Sequence, residues 1–229
     1  MIETNIKKVQ ECIKQACERS GRSVSEITLI AVSKTKPFEM IQEAYTAGMR
    51  EFGENKPQEL RDKAKQCQLP IRWHMIGTLQ SNKIKYVVGT ACCIHSVDSI
   101  DLASAIEKEA KKQETKIDIL LEVNIAKEAS KHGFLQEEVL DAVMEISKMS
   151  HLCLRGLMTV APYTENAEEN RIYFRKMKQL LIDISSKNID NVSMDILSMG
   201  MSSDYEVAIE EGATMIRVGT GIFGERMYP

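Results

Sequence analysis

The chain has 229 residues, with 30 lysines and arginines against 33 acidic side chains, a formal charge of −3. That near balance excludes a global electrostatic case for nucleic acid or an anionic membrane, so any charged ligand must be met locally. No secretory-type apolar stretch, no run of membrane-span length and six cysteines without C-x-x-C spacing lead us to expect a cytoplasmic chain, long enough to bury a sizeable core.

Ile6, Val9, Ile13 and Ala16 recur at helical spacing, and Gly21 can end that helix. Leu29-Ile30-Ala31-Val32 then runs straight into Ser33 and Lys34, and Pro37 closes this first strand and can open a helix. Met40, Ile41, Ala44 and Tyr45 mark that helix up to Gly48. Arg50 to Gly53 reads as a short strand with the polar tail Glu54-Asn55. Leu60, Ala64 and Cys67 line the next helix, and Ile71 to Ile76 is a strand ended by Gly77. Ile84, Val87 and Val88 predict a helix and Ala91 to Val97 a strand, with Asp98 as N-cap of a helix bearing Leu102, Ala105, Ile106 and Ala110. The fifth strand, Ile117 to Asn124, precedes a helix striped by Leu135, Val139, Leu140, Val143 and Ile146. Leu152 to Val160 is the sixth strand, closed by Ala161-Pro162, and Tyr173, Met177, Leu180, Leu181 and Ile184 stripe its helix. Met194 to Ser198 is the seventh. A short helix from Ser203 to Glu211 is opened by the capping box Ser203-Asp204-Tyr205-Glu206 and stopped at Gly212. Thr214 to Val218 is the eighth strand, with Gly219 beyond.

Eight strands alternating with helices, without linker or repeat, predict a single (β/α)8 TIM barrel over residues 1–229 with an extra N-terminal helix. The competing fold is an open doubly wound sheet, although no G-x-G-x-x-G follows the first strand. In a barrel, strand eight neighbours strand one and strand seven comes next. Lys34, the Ser198-to-Ser203 turn and the Arg217-to-Gly221 turn then share one mouth, where this fold habitually holds phosphate. Gly200, Gly219 and Gly221 would admit backbone N–H groups to an anion, Ser198, Ser202 and Thr220 would offer hydroxyls, and the helix near Ser203 its positive end. A lysine partly desolvated at a strand end can attack a carbonyl to form a Schiff base, or can simply snorkel to water. A ligand with both a phosphate and a reactive carbonyl fits such a mouth, and pyridoxal 5'-phosphate (PLP) and phosphorylated sugars both qualify. Arg217 shares parity with Met215 and Gly219, so it can face inward, toward a pyridine nitrogen or toward a carboxylate such as Glu122. The histidines (His74, His95, His132, His151) lie far apart and lack H-x-x-x-H spacing, which argues against a metal site.

With these residues in place the chain resembles the pyridoxal phosphate homeostasis protein family, PLP-binding proteins on the alanine-racemase-like N-terminal barrel. The segments that carry the resemblance are Ala31 to Pro37, Phe52 to Asn55, Trp73 to Gly77 with Leu79 to Lys83, Arg155 to Met158, Ser198 to Ser202, and Arg217 to Thr220 with Ile222 to Gly224. The resemblance implies that Lys34, rather than Lys36, holds PLP as a Schiff base. It also implies that Ser198, Ser202, Gly219 and Thr220 surround the phosphate, with Met199 in the same segment, and that Arg217 faces the ring nitrogen. Asn55, His74 and Asn82 fall at strand ends or just beyond and are further candidates, His74 equally as a structural hydrogen-bonding group. Lys36 is expected to be solvated. The function implied is reversible holding of PLP for intracellular vitamin B6 homeostasis, with apo PLP-dependent enzymes as recipients. The alternative is a PLP-dependent amino-acid racemase. Racemases that resemble this barrel take an opposing tyrosine base from an additional domain, whereas here only Tyr163 and Tyr205 are rim candidates. With no added domain, a monomer is expected.

Overall fold

The computed structural model describes residues 1–128 and 131–225, so residues 226–229 of the single domain expected over 1–229 lie outside it. Eight parallel strands, β1 (Thr28–Val32), β2 (Glu51–Glu54), β3 (Arg72–Met75), β4 (Cys93–Val97), β5 (Ile117–Glu122), β6 (Leu152–Met158), β7 (Val192–Met201) and β8 (Met215–Val218), pair in chain order into a closed barrel. Their apolar and β-branched runs suit a sheet buried on both faces. Around them lie α1 (Ile2–Ser20), α2 (Phe38–Thr46), α3 (Pro57–Gln66), α4 (Ile100–Lys112), α5 (Val139–Ile146), α6 (Arg171–Ser185), α7 (Tyr205–Glu210) and α8 (Thr220–Phe223). No helix among the described residues is long and apolar enough to cross a membrane.

The extra helix α1 buries Ile2, Ile6, Val9, Ile13, Ala16 and Cys17, each large aliphatic contributing about 2 kcal/mol on burial. Gly21 ends it in the left-handed conformation, as expected. It packs against α2, α7 and α8. Asn5 Nδ2 donates to the Ile222 carbonyl at 3.0 Å, and the Arg22 guanidinium donates to the carbonyls of Ile209 (2.8 Å) and Ala213 (2.7 Å). The helix thus braces the segments that follow strands seven and eight.

Four local expectations are corrected. Ile84, Val87 and Val88 are buried, but Ser81–Tyr86 is a 3₁₀ helix rather than an α-helix. The N-cap of α4 is Ser99, not Asp98; its hydroxyl accepts from Leu102 N at 3.3 Å. The seventh strand runs on to Met201, because a register shift between Ser198 and Met201 lets Met201 pair with Arg217. Ser198 to Met201 is therefore strand, not turn. The capping box at Ser203 does not form, since Asp204 carboxylate turns back to accept from Met201 N at 2.7 Å and α7 begins at Tyr205.

Shifts of register also mark β5–β6 and β6–β7 near Gly156. Gly156 has φ +155°, and a Cβ there would fall inside the van der Waals shell of the Ile196 carbonyl. Two strands can approach at this bulge only without a side chain. Gly156→Ala is expected to lower unfolding free energy by about 3 kcal/mol, measured by urea titration; an unchanged midpoint would show that the bulge relaxes.

Candidate functional site

Closure of the sheet sets the first relation. Ala31 pairs with Val218 across β1 and β8, which brings the Ser33-Lys34 segment level with the Gly219–Gly221 turn. Side chains alternate along β1, with Ile30 and Val32 directed inward, and Lys34, in the turn two residues past the strand, is half-buried. Ser33 takes the opposite face, where its hydroxyl donates to Glu54 Oε1 at 2.6 Å. Lys63 of α3 reaches the same spot. Its Nζ donates to the Ser33 carbonyl (2.8 Å), to Glu54 Oε1 (2.8 Å) and to Glu59 Oε1 (2.7 Å). Glu59 also accepts from Thr35 N at 2.6 Å. Thr35, a β-branched residue, is held at φ +62°, a costly conformation maintained by this buried ion cluster. The loop bearing Lys34 is therefore clamped from behind. Burial pushes the Glu54 carboxyl above its usual value despite the Lys63 ammonium and Ser33 hydroxyl pulling it down.

Lys36 is not a solvated neighbour. Its Nζ donates to the carbonyls of Phe223 (3.2 Å), Gly224 (3.2 Å) and Glu225 (3.0 Å), tying the first loop to the segment after α8. The loops after strands seven and eight also meet directly. Ser202 Oγ accepts from Gly219 N at 3.2 Å and from Gly221 N at 3.5 Å, so two main-chain N–H groups converge on one small oxygen. Thr220 between them is exposed. Asn170 Nδ2 donates to Asp204 Oδ2 at 2.9 Å and fixes the preceding turn. Gly200 does not serve this cradle: at φ +91°, a Cβ would strike Ala208 Cβ at 2.6 Å, so the glycine is required for α7 to pack on β7.

Arg217 enters the barrel interior and is buried. NH1 donates to Ser198 Oγ at 2.6 Å and NH2 to the Thr159 carbonyl at 2.8 Å, leaving further N–H donors on the guanidinium. It makes no ion pair with Glu122 among the described residues. Burial lowers its pKa to about 10, opposed by the charges of Glu122 and Asp204, so it stays protonated at neutral pH. Burial likewise raises the Glu122 carboxyl, with Asp98 adding to the rise and Arg217 opposing it. Ser198 is enclosed between Arg217 and His95, whose Nδ1 lies 2.9 Å from its hydroxyl. It is thus placed inside the barrel, below the turn where the sequence put it. Burial, with His74 and Arg217 adding to the effect, drives His95 well below the ordinary imidazole pKa, so it is neutral.

The remaining candidates disperse. Asn55 is half-buried at the end of β2, with Gly77 of the next strand end closely approaching its main chain. Asn82 is exposed, lining a groove against α4 with Ala105, Lys108 and Lys112. Met199 is fully buried in the layer between sheet and helices, so its side chain faces away from the interior. His74 is fully buried and bonded at both ring nitrogens, to His95 (2.9 Å) and Glu51 (2.7 Å). Two histidines that lie far apart in sequence thus meet, because His74 pairs with Cys93 across β3 and β4 and His95 is the next inward residue. Lys63, Glu59, His95 and Thr159 were not singled out from sequence. A lysine on the otherwise apolar stripe of Leu60 and Ala64 was the one available signal.

The alanine racemase N-terminal domain model matches residues 3–227. The pyridoxal phosphate homeostasis protein of Aquifex aeolicus is 43% identical over 224 residues, covering 97% of each chain. The chain belongs to the pyridoxal phosphate homeostasis protein family. PipY of Synechococcus elongatus, solved with PLP bound, superposes with a TM-score of 0.85 at 33% identity, covering 98% of this chain and 100% of its own. An alanine racemase of Clostridium difficile has a TM-score of 0.72 at 15% identity, covering 99% of this chain but 56% of the racemase. That last likeness is one of fold.

The clamp behind Lys34 has a measurable energy. Removing Lys63 leaves Glu54 buried without a counter-charge, so Lys63→Met is expected to cost about 3–5 kcal/mol at neutral pH, and Lys63→Met with Glu54→Gln to recover most of it. A carboxyl whose folded pKa is raised favours the folded state in its protonated form, below the unfolded value and not above the folded one. The deficit of the single variant should therefore shrink as pH falls through that folded value. Denaturant titrations across pH check both; a pH-independent deficit would refute the account.

Proposed function

We propose that the chain binds PLP reversibly at the carboxyl end of its barrel and serves PLP homeostasis, with Lys34 forming the covalent link. Three chemical features of PLP each have a counterpart here. The converging N–H groups of Gly219 and Gly221, with the Ser202 and Thr220 hydroxyls, suit the phosphate. Lys34, level with that turn across β1 and β8, suits the aldehyde. Arg217, with N–H donors left after Ser198 and Thr159, suits the ring nitrogen. The meeting of Ser202 with both N–H groups beside the Lys34 strand is the observation that carries the reading. Relatives that share nearly the full length carry the homeostasis name, and one is solved with PLP bound.

When bound, PLP supplies an electrophilic carbon and an electron-withdrawing ring. The chain's own residues limit that chemistry. A protonated Arg217 at the ring nitrogen opposes ring protonation and so weakens the electron sink. Racemisation also needs a second base across the substrate carbon. Tyr163 is 90% exposed, and Tyr205 is 8% exposed, its hydroxyl pKa raised by burial and by Cys12 of α1. Tyr163 thus lies open to solvent and Tyr205 is buried against α1, which supports a carrier rather than a racemase. The eight strand ends of one chain make the mouth, which supports action as a monomer. Six free thiols suit the cytoplasm, with apo PLP-dependent enzymes as recipients.

Borohydride reduction of the PLP-loaded protein followed by peptide mapping should place the label on Lys34. Lys34→Ala should abolish it and the visible absorbance, whereas Lys36→Ala should keep both while loosening the segment after α8; label on Lys36 would reverse the assignment. Incubation with Cα-deuterated alanine or serine should give no stereospecific deuteron loss at enzyme-like rates, and such loss would make the racemase reading correct.

A further inference from the structure

A line of buried polar side chains crosses the barrel interior behind Arg217. NH1 of Arg217 (β8) lies 2.6 Å from Ser198 Oγ (β7), which lies 2.9 Å from His95 Nδ1 (β4). His95 Nε2 lies 2.9 Å from His74 Nδ1 (β3), and His74 Nε2 lies 2.7 Å from Glu51 Oε2, at the start of β2. His74, His95 and Ser198 are wholly inaccessible to solvent. Glu51 stands at the amino-terminal end of its strand, the floor opposite the mouth, where Arg72 also binds it at 2.9 Å. The line therefore joins the floor of the barrel to the group facing its mouth.

Its ends fix its direction. A guanidinium can only donate. Burial would raise the Glu51 carboxyl, but the hydrogen bond from His74 and the charge and hydrogen bond of Arg72 oppose that and hold it below its ordinary value, so it is a carboxylate and only accepts. His74 must then carry a proton on Nε2, and its Nδ1 is left to face His95 Nε2. His95 must donate from Nε2 and accept at Nδ1, which requires the Ser198 hydroxyl to donate there. The Ser198 oxygen is left to accept from Arg217. Each link has one donor and one acceptor, and at His74 Nε2 the Cys92 sulfur, 3.6 Å away, stands as a longer second neighbour beside Glu51. The reverse order would place two donors on Ser198 Oγ and leave its hydroxyl proton without an acceptor, since the hydroxyl has no further partner among the described residues. An unsatisfied group in such a site is costly.

We propose that Ser198, His95, His74 and Glu51 form a one-way hydrogen-bond relay that positions Arg217, with Glu51 at the barrel floor as its terminal acceptor. The relay rests on the PLP reading only for what Arg217 faces. Ser198 then belongs to the support of the ring-nitrogen contact and not to the phosphate cradle. His74, His95 and Glu51 are positioning residues that touch no ligand, and a change at the floor alters the mouth by loosening the fixed tautomers between them.

Imidazole ¹⁵N NMR on the full chain without PLP tests the relay apart from ligand binding. Both His74 and His95 should be protonated at Nε2, and Nδ1 protonation of either in the folded wild type overturns the proposal. Glu51→Gln, whose amide oxygen still accepts, should keep both tautomers. Glu51→Met leaves one proton unmet in either direction, so both histidines should become mixtures of the two tautomers and, in the PLP-loaded protein, PLP release should speed up about tenfold with a changed visible spectrum. If Glu51→Met leaves tautomers and release unchanged in a wild type that retains PLP, the relay is wrong; if the wild-type tautomers are as stated but no PLP is retained, the relay stands and the PLP reading fails. Should Glu51→Met not fold, the wild-type tautomers and Glu51→Gln decide the matter.

Discussion

The pairing of β1 with β8 is the constraint on which the rest depends. A parallel sheet left open would set its first and last strands at opposite edges, and the lysine loop would lie far from the glycine turns. Closure instead sets Ala31 beside Val218. From that register follow the closeness of Val32 to where a side chain on Gly219 would stand, the reach of Lys36 to three carbonyls at and just after the end of α8, and the seat of α1 across α7 and α8. Each draws together segments about 190 to 220 residues apart in the chain, so the loop-closure entropy of the whole molecule is met by one seam.

The interior of this barrel is divided in its chemistry. Cys93, Leu120 and Met158 form a small apolar cluster inside, while the line from Glu51 to Arg217 is polar throughout. Burying a guanidinium costs several kcal/mol unless its donors are met and counter-charge lies near. Ser198, the Thr159 carbonyl and the charges of Glu122 and Asp204 supply both. Behind Lys34 the same principle operates on the outer face of the sheet, where Lys63, Glu54 and Glu59 hold a strained Thr35 in place. Two separate buried polar clusters, one inside the sheet and one outside it, thus set the positions of Arg217 and of the loop that bears Lys34.

Legibility followed the range of the interaction. The place of Lys34 just past β1 and the inward parity of Arg217 were readable, because strand ends and strand alternation are set over a few residues. Ser202, Gly219 and Gly221 were readable as turn chemistry after two strands. Ser198 was placed one level too high, because the bulge between Ser198 and Met201 lengthens β7 beyond its apolar run. Met199 turned outward with the same alternation. Lys36 gave no local sign that it would bind carbonyls from the other end of the chain, and Asn82 sits on a 3₁₀ helix that carries it onto the outer surface. Nor could spacing reveal that His74 and His95 touch, since their contact is made across paired strands.

The sequence by itself determined the order of eight strands and their helices, the barrel class, and the lysine and turns that gather at one rim. These depend on periodicity, on turn residues and on the parity of side chains, all of which act within a few positions. Only the tertiary structure decided which polar groups meet inside and behind the sheet. Those meetings depend on inter-strand register and bulges, and a shift of one residue would send each side chain to the opposite face.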